Sequence, residues 1–526
     1  MNMYAAGKNL GQGPSEFLLF QHYVIGLGLK FLYVDCPGFP WYGALLYLYL
    51  FVSSLVIGYV FSRLCNHFSV IGLWLVLFFL FYLQVIVSPQ FTLCAGYLAI
   101  AGILLLYAAI YRPNASRNVR QGLLFLGIGF LIWAGLVRFY SLLLVLLSMA
   151  PLYGYLLVTR FTETWRRLLP LLFCVALAGF FLNWTQIAYY EHSPGWERFY
   201  SYNNVRAEFI DRHKITWDKN TEPFFRRIGW SRNDLAMLTS WFYIDAKVYS
   251  FNNLLFISRH TSVLPRPSVA WDKLLAGLEQ SLLSYCGIGA LLLGMLVAAR
   301  KPLVERGCVL VAVLWYGLLF SGISIVERHL PVRVWLVMLC SLYVTELVLW
   351  CAPAEVGAQG GAARKQFLGL RIVTWFIAGG YLLCSVANIR VIKKLSDKYG
   401  FYQTIFREDL AKLKPRPDQL FVTWGGDFPY QTFQLPKESE PASANMQFLG
   451  LGVGNHEPVV QNRLRAFGIE DLYRAFYERD DVFVICVKVK RKLLAQYIWE
   501  HYHTRVLVET FFEGRTFTVC RVVKAS

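Results

Sequence analysis

The run QGLLFLGIGFLIWAGLVRFYSLLLVLLSMAPLYGYLLV, residues 121–158, carries a single charge, Arg138. A helix needs about 20 mostly apolar residues to cross a bilayer. The run is long enough for two crossings, 121–137 and 140–158, with Arg138 at the turn between them. Comparable apolar stretches lie at 41–63, 67–87, 91–111, 167–187, 281–299, 307–326, 332–350 and 367–388. Over the 526 residues, hydrophobic side chains make up 56% and charged ones 16%. A soluble chain is about 25% charged. Disorder, collagen and coiled coil are excluded by the same figures. The expected fold class is an α-helical polytopic membrane protein of about 10–11 transmembrane helices, with an extracytoplasmic C-terminal α/β domain.

The net charge of +18 reads first as topology, not as nucleic-acid binding. Arg112, Arg117 and Arg120 share one short connection, and Arg160, Arg166 and Arg167 another. Arg300, Lys301 and Arg306 share a third, and Arg364 and Lys365 a fourth. All four fall on one side of a ten-span ladder, and the positive-inside rule makes that side cytoplasmic. The chain then divides into an extracytoplasmic or interfacial segment 1–40, spans over 41–187, an outer loop 188–280, spans over 281–388 and the outer domain 389–526. Residues 17–34 are short for a crossing and carry Gln21, His22 and Lys30. A poor span and an interfacial helix both fit them.

Arg138 is expected at an outer turn, against the positive-inside trend, where a guanidinium can grip a lipid phosphate bidentately. The competing reading is snorkelling to ordinary headgroups. Arg328, His329 and Arg333 lie in a second outer turn, a phosphate contact or a solvated loop. Within the spans, Glu346 and Arg371 sit toward cytoplasmic ends and are expected to snorkel. The outer loop is rich in aromatics, amides and carboxylates. Trp230, Trp241 and Asn204 suit sugar recognition, against a resting place at the bilayer interface. Asp211, Asp234 and Asp245 are the candidate bases, although Ser231 and Asp234 also read as a helix start.

Beyond the spans, strands at 419–424, 482–487 and within 505–523 alternate with helices at 389–415, 457–479 and 491–503, an α/β pattern. Gly450-Leu-Gly-Val-Gly-Asn455 fails GxGxxG at its sixth position and reads as a turn beside packed strands. The eleven cysteines contain no CxxC pair, so a zinc or iron–sulfur site has no support. Cys486 and Cys520 both lie in strand-like runs, as buried thiols or as a disulfide.

The residues Gly13-Pro-Ser-Glu-Phe17, Phe20, Gly26, Phe31-Leu-Tyr33, Pro37 and Trp41-Tyr42 resemble the region after the first span of bacterial GT-C glycosyltransferases. The large outer loop and outer α/β domain are similar to that group too. The resemblance implies sugar transfer from a polyprenyl-phosphate carrier to a cell-envelope glycan or lipid. The setting would be the bacterial cytoplasmic (inner) membrane, with membrane lipid and the polyprenyl-phosphate-linked sugar as partners and no nucleic acid. A carboxylate would deprotonate the acceptor, with cations or a divalent metal at the leaving phosphate. The group's base is an acidic pair in the first outer loop, and no such pair precedes Gly13. The codons upstream of Met1 are therefore expected to encode a further span and that pair. An O-antigen-type polymerase or ligase, and a non-catalytic scaffold or export component, remain the alternatives.

Overall fold

Backbone N–H and C=O groups have no water to bond in hydrocarbon, so apolar stretches of this length satisfy them internally as helices. The computed structural model describes residues 2–7, 13–64, 68–111, 116–212, 215–261, 267–326, 330–351, 367–429 and 445–525. Six helices in it are long and apolar enough to cross a membrane: Trp41–Leu64, Phe91–Tyr111, Arg117–Ser148, Phe161–Glu191, Leu303–Ser324 and Val332–Cys351. Leu274–Leu282 and Tyr285–Arg300, bent by 70°, make a seventh if taken as one span. The protein is thus a mostly helical multi-pass membrane protein with a small C-terminal sheet. The stretch expected at 67–87 contains a shorter apolar helix, Trp74–Val87. The crossing expected at 140–158 is divided between the end of Arg117–Ser148 and the helix Ala150–Thr159. The stretch 367–388 does not end before the outer domain. It opens a 47-residue helix, Phe367–Leu413, that runs on into it.

Two irregularities are answered by groups from elsewhere in the chain. A π-helical turn at Phe78–Tyr82 disturbs the regular bonding of its carbonyls. Asn388 donates to the Phe79 carbonyl at 2.8 Å and the Cys286 thiol to that of Leu80 at 3.0 Å. The second irregularity is at Arg138, whose φ of −162° and ψ of 100° break the helix Arg117–Ser148. The Leu136 carbonyl there accepts from the His22 backbone N–H at 2.9 Å, so the N-terminal segment is bound to the break.

Glu346 differs from expectation. It does not snorkel. It is fully enclosed, and its carboxyl lies where a side chain on Gly294 would otherwise be. The Arg371 side chain lies outside the described residues.

The C-terminal sheet has strands β1 (Leu420–Trp424), β2 (Gln447–Leu451), β3 (Val482–Ile485), β4 (Val506–Glu513) and β5 (Thr518–Lys524) in the order β2-β1-β3-β5-β4. β1, β2 and β3 are parallel, while β4 and β5 close the edge antiparallel. β1 and β3 are buried at every position, as parallel strands covered on both faces must be. The sequence reading took Gly450 for part of a turn, whereas it is the fourth residue of β2.

One face of this sheet does not have a core of its own. Tyr202, Phe225, Trp230, Met237, Phe242, Tyr243 and Tyr249 of the outer loop form a single hydrophobic cluster with Leu420, Val422, Trp424, Val484, Tyr497 and Val522. The loop and the C-terminal sheet are one folded body, so they lie on the same side of the membrane. With Cys36 and Cys174, the exposed cysteines among the described residues, replaced together with Cys65, Lys219→Cys and Lys492→Cys should react with an impermeant thiol reagent under the same conditions. Labelling of one in intact cells and of the other solely after permeabilisation would break the shared body apart.

Candidate functional site

Around Arg138 the geometry is built by the N-terminal segment. Its Nη1 donates to the Phe20 carbonyl at 3.3 Å. Its guanidinium carbon lies 5.1 Å from the Phe20 ring, 5.6 Å from that of Tyr140 and 5.8 Å from that of Phe91. Residues 20–23 are in turn sewn to the helix Leu169–Glu191. The His22 ring nitrogen Nε2 meets the Leu182 carbonyl at 2.9 Å. Gln186 accepts from the Tyr23 N–H at 2.7 Å and donates to the Gln21 carbonyl at 3.1 Å. Phe17 stacks on Trp196 at 4.3 Å, which ties the same segment to the start of the outer loop.

Electrostatically this is a cation that ring faces and a carbonyl surround. Ring faces attract a guanidinium but do not neutralise it. Among the described residues no carboxylate pairs with Arg138. A second cation, Arg333, exposed at the start of Val332–Cys351, acts on it electrostatically. Arg328 and His329 lie outside the described residues. The N-terminal segment, which clasps the break at Arg138, carries one carboxylate of its own among residues 13–23, Glu16, bonded by Lys30 at 2.9 Å, with the Tyr189 hydroxyl at 3.5 Å.

The outer-loop candidates are placed by the carboxyl edge of β1 and β2. In parallel sheets this edge is the usual ligand crevice. Here residues 240–243 of the chain itself fill it. The Trp424 indole donates to the Ser240 carbonyl at 2.8 Å, and Asn455 donates to the Trp241 carbonyl at 3.2 Å. Asn455 also accepts from the Tyr243 N–H at 3.4 Å, and the Tyr243 hydroxyl donates to the Gly452 carbonyl at 2.7 Å. His456 Nε2 donates to the Tyr243 carbonyl at 2.8 Å, which fixes its tautomer. Burial drives its ring down to about 4, so it stays neutral there. The glycine-rich loop therefore grips protein, with no phosphate cradle exposed. Trp241 itself takes a left-handed φ of 74°, with its ring over the Arg206 guanidinium at 5.1 Å.

The remaining candidates separate by their partners. Trp230 is a core residue, between Phe225 and Tyr249, and its indole N–H is spent on the Val248 carbonyl. Asn204 is exposed on the helix Trp196–Ala207. Asp234 forms a capping box with Ser231 and accepts from His501 at 2.8 Å. Burial lowers the His501 ring, but the hydrogen bond and charge of Asp234 outweigh it and leave a net rise. Asp245 accepts from the Lys247 N–H at 2.9 Å and from the Tyr497 hydroxyl at 3.0 Å. The Asp211 side chain lies outside the described residues. For a divalent metal, Asp234, Glu500 and His501 come within 4.8 Å of one another. Their atoms are already consumed: both Asp234 oxygens accept hydrogen bonds, and Glu500 accepts from Ser231 at 2.7 Å. That donor set fits a helix cap better than an ion.

No family model matches the sequence, and no curated protein does. Among solved structures, the chain is similar to the crystal structure of ArnT from Cupriavidus metallidurans bound to undecaprenyl phosphate. Identity is 13% and the TM-score 0.37, over 98% of this chain and 91% of that one. A likeness that loose aligns no side chains, so the residues above stand on their own geometry.

Sequence reasoning missed Glu457, which stands at the N-cap position of the helix Pro458–Ala466 without a side-chain capping bond. It is fully buried where the N-terminal helix Asn2–Ala6 meets the outer body. The available signal was an acid directly before a helix-starting proline. Burial raises its carboxyl to about 7, against a smaller opposing hydrogen bond from Tyr4. Its ordinary value is 4.5, so between those values the folded chain holds a proton that the unfolded chain has released. This stabilising contribution is complete below 4.5 and disappears as the pH rises through 7. Glu457→Gln should therefore gain thermal stability relative to the parent as the buffer is taken from pH 5 to pH 8. Unfolding curves that stay parallel over that range would contradict the burial argument.

Proposed function

We propose that this chain is a membrane glycosyltransferase of GT-C type that takes its sugar from a polyprenyl-phosphate carrier. The acceptor would be a cell-envelope glycan or lipid, on the outer face of the bacterial inner membrane. The observation that carries the proposal is Arg138: a guanidinium at a helix break, ringed by Phe20, Phe91 and Tyr140, with no carboxylate partner among the described residues. A lipid phosphate is the anion available at that depth. The fork of N–H donors suits it bidentately, and the aromatic rings suit the start of an apolar chain.

In this reading Arg138, with Arg333, binds the carrier phosphate and stabilises the charge that develops on it as the sugar–phosphate bond breaks. Arg328 and His329 would add to the same cationic end. The acceptor hydroxyl needs a base. Asp234 is tied into its helix cap, which leaves Asp211 and Asp245 from the outer body and Glu16 from the clasp. Trp241 and Asn204 are the sugar contacts that remain available. A polymerase or ligase that relies on basic side chains is the second reading. It is favoured by the fact that Asp234, Asp245 and Glu16 are all engaged in hydrogen bonds.

The first test needs no knowledge of the acceptor. In nanodiscs a short-chain polyprenyl phosphate should stabilise the parent protein, and Arg138→Ala should lose that stabilisation while remaining folded. Arg138→Lys should recover part of it, because Lys offers a point charge without the fork. Equal stabilisation of the parent and the alanine variant would return Arg138 to snorkelling. In a transfer assay, loss of this one donor should cost about 100-fold or more.

A further inference from the structure

The sheet brings two thiols together. Cys520 on β5 lies opposite Val484 on β3. Side chains alternate faces along a strand, so Cys486, two residues beyond Val484, points to the same face as Cys520. The two sulfurs are 4.0 Å apart, and both side chains are wholly buried. The pairing of β3 with β5 ends at Ile485 and Val519, so Cys486 sits just past the ladder, where its backbone is free of strand bonds to β5. A disulfide has sulfurs about 2.05 Å apart. Closing that gap requires the strand end at Cys486 to move toward β5.

We propose that Cys486 and Cys520 are joined by a disulfide in the mature protein, fastening β3 to β5. The proposal rests on the extracytoplasmic placement of this domain, because structural disulfides persist in oxidising compartments. Bond formation removes two protons and two electrons from the thiols. A protein disulfide of that compartment accepts them and becomes a dithiol. The exchange takes place while the domain folds, before the shared core closes over both sulfurs. The bond would tie together segments separated by the helix Lys488–Tyr502 and by β4.

The test uses the full-length Lys219→Cys chain in membranes that are dissolved directly into acidic denaturant and then brought to alkylating pH with excess reagent, so that every free thiol, buried or not, is blocked as the chain unfolds. After denaturation and digestion without reductant, mass mapping should find the peptides holding Cys486 and Cys520 linked. Neither cysteine should carry the alkyl label until a reductant is added. Alkylated Cys486 and Cys520 in a chain whose Lys219→Cys reacts from outside would overturn the disulfide and leave the topology standing. Alkylated thiols in a chain whose Lys219→Cys reacts solely after permeabilisation would overturn the disulfide together with the placement on which it rests.

Discussion

The carboxyl edge of β1 and β2 has to be covered, and the chain covers it with its own residues 240–243. Asn455 holds that segment by two hydrogen bonds, one to each of Trp241 and Tyr243. With a buried amide, losing either partner leaves a polar group without water or protein to satisfy it, at a cost of about 1–3 kcal/mol. The arrangement of the loop and the C-terminal domain follows from this closure. The loop reaches the sheet from the helix ending at Glu191, and the sheet is reached separately through Phe367–Leu413. Two distant stretches of chain thereby become one body, with the N-terminal helix lodged against it at Glu457.

The second constraint is the break at Arg138. A helix that stops in mid-course exposes carbonyl groups, and one of them is taken by the backbone of His22. The same contact brings Phe20 against the guanidinium. A charge that snorkels to headgroups needs no such enclosure. A charge held by rings and a carbonyl, with a second arginine near it, has desolvation to recover from an anion. This difference is the ground on which the phosphate reading of Arg138 is proposed.

Much of the membrane part was legible because apolar length is a one-dimensional signal. Arg138 was legible for the same reason, as one charge within 121–158. The Ser231–Asp234 helix start was legible because a cap is local. The shared core was not, since Tyr243 and Asn455 lie 212 residues apart and nothing in either neighbourhood announces the other. Trp230 and Trp241 look alike as sequence, yet one is packed between rings and the other, on a left-handed backbone, lies half-buried at the edge of the cluster over Arg206. Glu346 looked able to reach the surface because Gly294, which makes room for its carboxyl, is on another helix. β2 was hidden by Gly450, whose backbone freedom reads as a turn although its neighbours in β1 hold it extended.

Hydrogen exchange on the full-length protein in detergent tests the single outer body most directly. If the loop is part of the sheet's core, amides in 240–249 should open with the same free energy as those of Leu420–Trp424 and Val482–Ile485. Asn455→Ala should lower the protection of 240–245 first. Rapid exchange through 240–249 beside a fully protected sheet would contradict the account.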